Sequence, residues 1–165
     1  MRTLILGGTG FCGSHLARLS LEQDEDVYLT GRSKAHWIAS PFKYLELDIL
    51  KPQNIADVLV KSRPDKIYHL AGFSSVGQSF KFEEEVYKTN VLGTFHVLKA
   101  IKKHCPRARV LVAGSSEEYG PATLEQLPIS EEKVPQPISP YGVSKVASSL
   151  MSLRESSRFA QDGLN

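Results

Sequence analysis

A chain of 165 residues, 41% hydrophobic and 23% charged, has the make-up of one globular domain with a sizeable core. Its formal charge of +2 is too small to suggest nucleic acid or an acidic membrane surface as a partner, and the basic group at Lys102, Lys103, His104, Arg107 and Arg109 reads as a solvated helix end. No apolar run reaches the ~20 residues that cross a bilayer, the N-terminus lacks a signal-peptide pattern, and Cys12 and Cys105 suggest neither a disulfide nor a metal site, so a reduced cytoplasmic protein is expected.

Residues 2–6 (Arg-Thr-Leu-Ile-Leu) form a short apolar run that predicts a buried strand. Gly7-Gly8-Thr9-Gly10 ends it, and a helical pattern follows from Phe11 to about Leu21, with Leu16, Leu19 and Ser20 near its inner face. Residues 27–30 and 44–47 predict the second and third strands. Residues 51–62 predict a helix, with Pro52 tolerated in the first turn and Ile55, Val58 and Leu59 at helical spacing. A fourth strand is expected over 67–71, a long helix from about Phe82 to His104, and a fifth strand over 110–113. The proline-rich stretch 128–140 predicts a surface loop leading into a last helix. Short apolar strands alternating with helices predict an α/β fold, a doubly wound parallel sheet covered on both faces.

The loop after the first strand carries Gly7-x-x-Gly10-x-x-Gly13. In that position the first glycine permits a tight turn, the second lets main chain approach a phosphate, and the third lets the helix pack on the sheet with its N-terminus facing the anion. This is the pattern of a Rossmann-type dinucleotide site, formed with Phe11 and Cys12; Cys12 is expected to be a small packing residue. NAD-preferring folds place an acid after the second strand, whereas this chain has Arg32 and Ser33. A guanidinium and a hydroxyl suit a 2′-phosphate, which favours NADP(H) over NAD(H); a solvent-facing charge is the other reading of Arg32. Asp48 and Ile49, after the third strand, are placed to flank an adenine, although Asp48 could simply cap a turn.

Tyr141 and Lys145 stand four residues apart in a helix that begins after Ser139-Pro140, so both lie on one face. A phenol releases its proton near roughly pH 10, and a neighbouring cation lowers that value, so the pair suits proton transfer nearer neutrality.

Taken in order, the glycine loop, Asp48-Ile49, His69-Leu-Ala-Gly72, Asn90-Val-Leu-Gly-Thr94, Ser115-Ser-Glu-Glu-Tyr-Gly120 and Ser139-Pro-Tyr-Gly-Val-Ser-Lys145 resemble the extended short-chain dehydrogenase/reductase (NAD-dependent epimerase/dehydratase) family, whose members act on nucleotide sugars. Within it the chain looks most like the GDP-6-deoxy-4-keto-mannose reductases, through residues 115–120 and Pro128-Ile-Ser-Glu-Glu132. It also resembles the GDP-mannose 4,6-dehydratases through Ser75-Val-Gly-Gln-Ser-Phe80 and Glu117, but lacks the glycine-loop sequence associated with those dehydratases. The resemblance implies that Tyr141 donates a proton to a sugar carbonyl, that Lys145 holds the nicotinamide ribose, and that Ser115 polarises the same carbonyl. Glu117 would be the base that starts dehydration, or only a substrate ligand in a reductase, and Glu118 is expected to face solvent. Leu70, Ala71 and Gly72 would wall the nicotinamide with main chain. Ser74, Ser75 and Ser116 could reach substrate oxygens, with a loop-turn role open for Ser74 and Ser75. His69 is expected to be a buried strand histidine.

The family also implies a homodimer through the long helix and the Tyr141 helix. Val86, Gly93, Val97 and Ile101 lie at spacings compatible with one apolar face, which could equally face the chain's own sheet. Family members continue for roughly as long again, so the chain is expected to be the cofactor-binding Rossmann domain, residues 1–165, without the C-terminal substrate lobe. Its last helix runs into a stretch, 156–163, more polar than the family helix, and an unpaired sheet edge is expected. Reduction, dehydration, epimerisation and a non-catalytic dinucleotide-binding module all remain open as functions.

Overall fold

The computed structural model describes the main chain of residues 1–162 and side chains through residue 156. Two compact units emerge: residues 1–72 with 93–113, and residues 73–92 with the chain from Gly114 through the last helix.

The first unit is built on a parallel sheet. Its strands are β1 (Arg2–Leu6), β2 (Asp26–Gly31), β3 (Lys43–Glu46), β4 (Lys66–His69) and β5 (Arg109–Val112), in the order β3-β2-β1-β4-β5. The register pairs Leu4 with Tyr28 on one side and with Ile67 on the other, so β1 is central. Neighbouring side chains on a strand point to opposite faces, and the core divides accordingly. Leu4, Leu6 and Ile67 pack under Ile55, Val58 and Leu59 of α2 (Pro52–Ser62) and Val97 and Ile101 of α5 (Thr94–His104). Ile5, Val27 and Leu29 pack with Ala17 of α1 (Phe11–Glu22). Leu4, Ile5, Leu29 and Ile67 are essentially inaccessible to water, and each contributes about 1.5–3 kcal/mol of burial free energy. This is the doubly wound Rossmann-type sheet that the strand–helix alternation predicts.

Two expectations are corrected, and one choice left open is decided. The inner face of α1 is Gly13, Ala17 and Ser20, with Leu16 packed against the same core as expected, whereas Leu19 is 51% exposed. Small residues at that spacing let the helix lie close to the sheet. Cys12 is exposed and packs against nothing in the core. The apolar stripe offered for a dimer is interior: Val86, Val97 and Ile101 are buried, and a Cβ at Gly93 would stand 2.7 Å from Ile49 Cδ1. β5 lies at the sheet edge, as expected, with Val110 and Leu111 exposed.

At the N-terminal ends of the strands, Glu25 is buried beside Thr3 Oγ1 (2.7 Å) and Lys66 Nζ (2.5 Å). Burial alone pushes its carboxyl up, but hydrogen bonds from Lys66, Thr3 and Ser20, with the charge of Lys66, hold it below the ordinary carboxylate range.

The second unit contains α3 (Val76–Ser79), α4 (Glu83–Val86), a π-helical stretch Tyr87–Gly93 of which all but Gly93 lies here, a 3-10 turn Ser116–Glu118, another at Leu124–Gln126, and α6 (Pro140–Asp162). The long helix expected from residue 82 to 104 is therefore continuous but not uniform, since π geometry interrupts it around Asn90. Asn90 is buried, and its side chain accepts from Phe73 N–H (2.7 Å) and donates to Phe73 C=O (3.0 Å) and Ser144 Oγ (2.9 Å). A poor helix former in mid-helix thus finds its partners off the helix. The polarity expected of residues 157–163 concerns side chains outside the described residues. Among the described residues, no helix is long and apolar enough to cross a membrane.

Candidate functional site

In open parallel sheets, ligands bind beyond the carboxyl ends of the strands where the strand order reverses. Here that point falls between β1 and β4, and Gly7 and Leu70–Gly72 lie there. Gly7 has φ +81°, and a Cβ on it would stand 2.7 Å from Ala71 N. Only glycine makes this turn without strain. A Cβ on Gly13 would stand 2.6 Å from Gly7 O and 2.7 Å from Gly8 Cα, so the first turn of α1 lies directly on the loop. Gly10 precedes that helix with extended backbone and no side-chain cap. The opening N–H groups of α1 therefore lack a side-chain acceptor at the cap, as an anion site requires. These glycines form a cradle that any larger side chain would fill, and that cradle fits a dinucleotide pyrophosphate.

Phe11, Cys12, Arg32 and Ser33 are exposed. Gly31 lies against Thr9 of the glycine loop, and its carbonyl accepts from Tyr44 Oη (2.8 Å) and Leu47 N–H (2.9 Å). Arg32 and Ser33 thus leave a firmly held strand end beside that loop. Asp48 caps a turn, accepting from Leu50 N–H (3.0 Å). The Ile49 side chain is committed to the core, which leaves only its main chain for an adenine contact. His69 is a buried strand histidine, its Nε2 3.0 Å from Thr94 Oγ1.

The second unit carries the candidate acid–base residues. Ser139 is buried and caps α6, its Oγ accepting from Gly142 N–H (3.0 Å). A Cβ on Gly142 would stand 2.6 Å from Glu117 O, so the first turn of α6 rests directly on the 3-10 turn. Tyr141 and Lys145 are half-buried, one helical turn apart. Burial pushes the Lys145 ammonium below its ordinary value, and the charge of Glu118 works against that fall. Ser115 caps the 3-10 turn: its Oγ accepts from Glu117 N–H (3.3 Å), which leaves its own proton for donation. Ser116 is exposed and Glu117 half-buried. Ser75 caps α3 through Gln78 N–H (3.3 Å), the turn role left open for it, and Ser74 is exposed.

Glu118 corrects an expectation. It is 8% exposed rather than solvent-facing, and its Oε1 accepts from Ser115 N–H (2.9 Å) and Ser149 Oγ (3.1 Å). A signal was available, since Ser115-x-x-Glu118 is the spacing of a capping box. Asn90, Ser144 and Ser148 were also missed as supports. Ser144 Oγ donates to Tyr141 O (2.6 Å), and Ser148 Oγ lies 2.8 Å from Asn90 O. Nothing in their residue type separates Ser144 and Ser148 from surface serines of a polar helix, and Asn90 stood in the motif 90–94 without a role of its own.

A sheet in this order, with a glycine turn after its central strand, defines an α/β protein of the Rossmann type. The profile of the GDP-mannose 4,6 dehydratase family matches residues 4–158, and the chain belongs to that family. It is 32% identical over 153 residues to the GDP-6-deoxy-D-mannose reductase of Pseudomonas aeruginosa, covering 93% of this chain and 46% of the relative. It is 34% identical over 149 residues to the UDP-glucose 4-epimerase of Halalkalibacterium halodurans, covering 89% and 44%. Among solved structures, the UDP-glucose 4-epimerase of Brucella ovis in complex with NAD superposes with a TM-score of 0.86 at 29% identity, over 96% of this chain and 48% of that one. The chain thus spans about half the length of these relatives, which are nucleotide-sugar epimerases and reductases.

Proposed function

We propose that this chain is the NADP(H)-binding, proton-donating part of a nucleotide-sugar oxidoreductase that reduces a GDP-linked 4-keto-6-deoxy sugar. The observation that carries the reading is Tyr141 and Lys145 one turn apart on α6, whose first turn rests on the segment holding Ser115 and Glu117. The glycine cradle with Gly7, Gly10 and Gly13 would hold the pyrophosphate, and main chain at Leu70–Gly72 the nicotinamide. Arg32 and Ser33 would take the 2′-phosphate, the feature that favours NADP(H). When bound, the reduced nicotinamide supplies hydride to the sugar carbonyl carbon.

The chain's own residues do the rest. The Ser115 hydroxyl donates a hydrogen bond to the carbonyl oxygen and stabilises its developing charge. Tyr141 delivers the proton to that oxygen as the alkoxide forms. Lys145, charged, stabilises the phenolate left behind and holds the ribose. Ser74, Ser75 and Ser116 offer hydroxyls to the substrate. A cytoplasmic homodimer fits this reading; within the second unit its surface would use the exposed Leu92 and, on α6, Val143, Leu150 and Leu153.

One observation favours a second reading, 4,6-dehydration. Glu117 follows Ser115 closely and is half-buried, where a base could remove the proton next to the ketone. Calorimetric titration with NADPH and NADH, followed by turnover of GDP-linked 4-keto-6-deoxy sugars and of GDP-linked hexoses that still carry their 4- and 6-hydroxyls, tests both readings. Tyr141→Phe should abolish reduction and spare NADPH binding; retained turnover overturns the assignment. Glu117→Gln should leave reduction intact; a dehydration of the hydroxylated sugar that wild type performs and Glu117→Gln loses would favour the second reading.

A further inference from the structure

The acid–base face of α6 is a stripe of Tyr141, Lys145 and Ser149, each one turn from the next. Glu118 touches one end of that stripe and the main chain of Ser115 together. Its Oε1 accepts from Ser149 Oγ (3.1 Å) and from Ser115 N–H (2.9 Å). Its own carbonyl accepts from Gln136 N–H (3.0 Å), which pins the residue from the loop side. The carboxylate folds back over Gly114, where a Cβ would stand 3.0 Å from Oε1. A glycine before Ser115 is what lets this happen. Burying a carboxylate is costly unless donors or cations compensate, and neither a solvent-facing nor a purely capping role requires it.

We propose that Glu118 is a positioning residue: one carboxylate that fixes Ser115 against the Tyr141–Lys145–Ser149 face and sets its own negative charge beside that face. The inference rests on the oxidoreductase reading above for its catalytic consequence, but not for its electrostatics.

Several other titratable groups lie on elements packed against α6. Tyr141 is on its own helix, Glu117 on the 3-10 turn, Glu83, Glu84 and Glu85 on α4, and Tyr87 and Lys88 on the π-helical stretch that Asn90 ties to α6; α3 carries none. The three acids of α4 are exposed, and Glu84 is paired with Lys88. Glu118 is the buried acid among them and the one whose charge opposes the effect of burial on Lys145.

Glu118→Gln keeps an oxygen for Ser115 N–H and removes the charge. Two readouts separate positioning from mere folding support. In the isotopically dimethylated protein, NMR titration of Lys145 should show its pKa lower in Glu118→Gln than in wild type. The alkaline limb of kcat should move down with it, costing roughly tenfold in kcat at a fixed pH above the limb for each unit moved, while NADPH affinity and KM change less than about twofold. Glu118→Asp keeps the charge but shortens the reach, so it should restore the limb while kcat stays reduced. Should Glu118→Gln not fold, Gly114→Ala displaces the carboxylate without changing any ionisable group, and the same lowering of the Lys145 pKa is expected. Identical Lys145 titrations in wild type and variants overturn the proposal. A lowered Lys145 pKa in a protein with no turnover supports the proposal and overturns the oxidoreductase reading instead.

Discussion

Gly13→Ala tests the phosphate cradle at its tightest point. Gly13 is helical, so alanine meets no φ/ψ strain there and would ordinarily gain about 1 kcal/mol of helix propensity. The added Cβ would instead stand 2.6 Å from Gly7 O and 2.7 Å from Gly8 Cα. Ordinary contact begins at 3.4 Å, so helix and loop must separate by about 0.8 Å (3.4 less 2.6). Both opposing groups are main chain and cannot swing aside. Overpacking of this kind costs roughly 2–3 kcal/mol, and the propensity gain reduces the net loss to about 1–2 kcal/mol. For a chain of this size that lowers Tm by about 2–8 °C. Under the proposed function the same shift carries the first N–H groups of α1 away from the cofactor's phosphate, so NADPH affinity should fall more than stability does. Gly77→Ala is the control: nothing lies within 4 Å of its Cβ, and removing unfolded-state freedom should stabilise by about 0.4–1 kcal/mol. Thermal unfolding followed by circular dichroism, with calorimetric titration of NADPH, reads both effects. A Gly13→Ala protein as stable as Gly77→Ala, binding NADPH as wild type does, would refute the close approach of helix and loop.

Two further outcomes are expected. Glu25 is held below its ordinary pKa of 4.5, so its contribution is complete above that value and is lost as pH falls through the folded-state value; the stability gap between wild type and Glu25→Gln in urea should therefore shrink on acidification, and a gap constant from about pH 6 to pH 3 refutes the ion pair with Lys66. Asn90→Ala strips partners from both Phe73 N–H and Phe73 C=O and should cost roughly 2–4 kcal/mol by urea unfolding; a loss below about 1 kcal/mol would mean that water replaces the amide without penalty.

The sheet was legible because its signals are local. Apolar runs of four or five residues, each closed by glycine, proline or a polar cluster, place all five strands to within two residues. The glycine loop was legible because spacing and position both restrict it, and Gly7 and Gly13 turn out to be positions where a Cβ has no room. The sense of a helix was harder to read. Leu19 looks like core by type, yet α1 turns Ala17 and Ser20 inward with Leu16 and Leu21 against the core and leaves Leu19 outside, because the orientation of the helix rather than hydrophobicity alone decides which leucines are covered. The stripe Val86, Gly93, Val97 and Ile101 had the right period for an interface, but periodicity gives a face without saying what covers it.

Chain order and side-chain chemistry were enough to establish a parallel α/β sheet, a tight glycine turn before α1 and a phenol and an ammonium one turn apart on one helix, since each depends on neighbours a few residues apart. The fate of the polar residues depends on contacts between segments distant in sequence. Glu118 is buried because Ser149, 31 residues later, donates to it; Asn90 sits in mid-helix because Phe73 and Ser144 need its amide. A carboxylate's side-chain type favours water, and only donors brought to it by folding can reverse that preference.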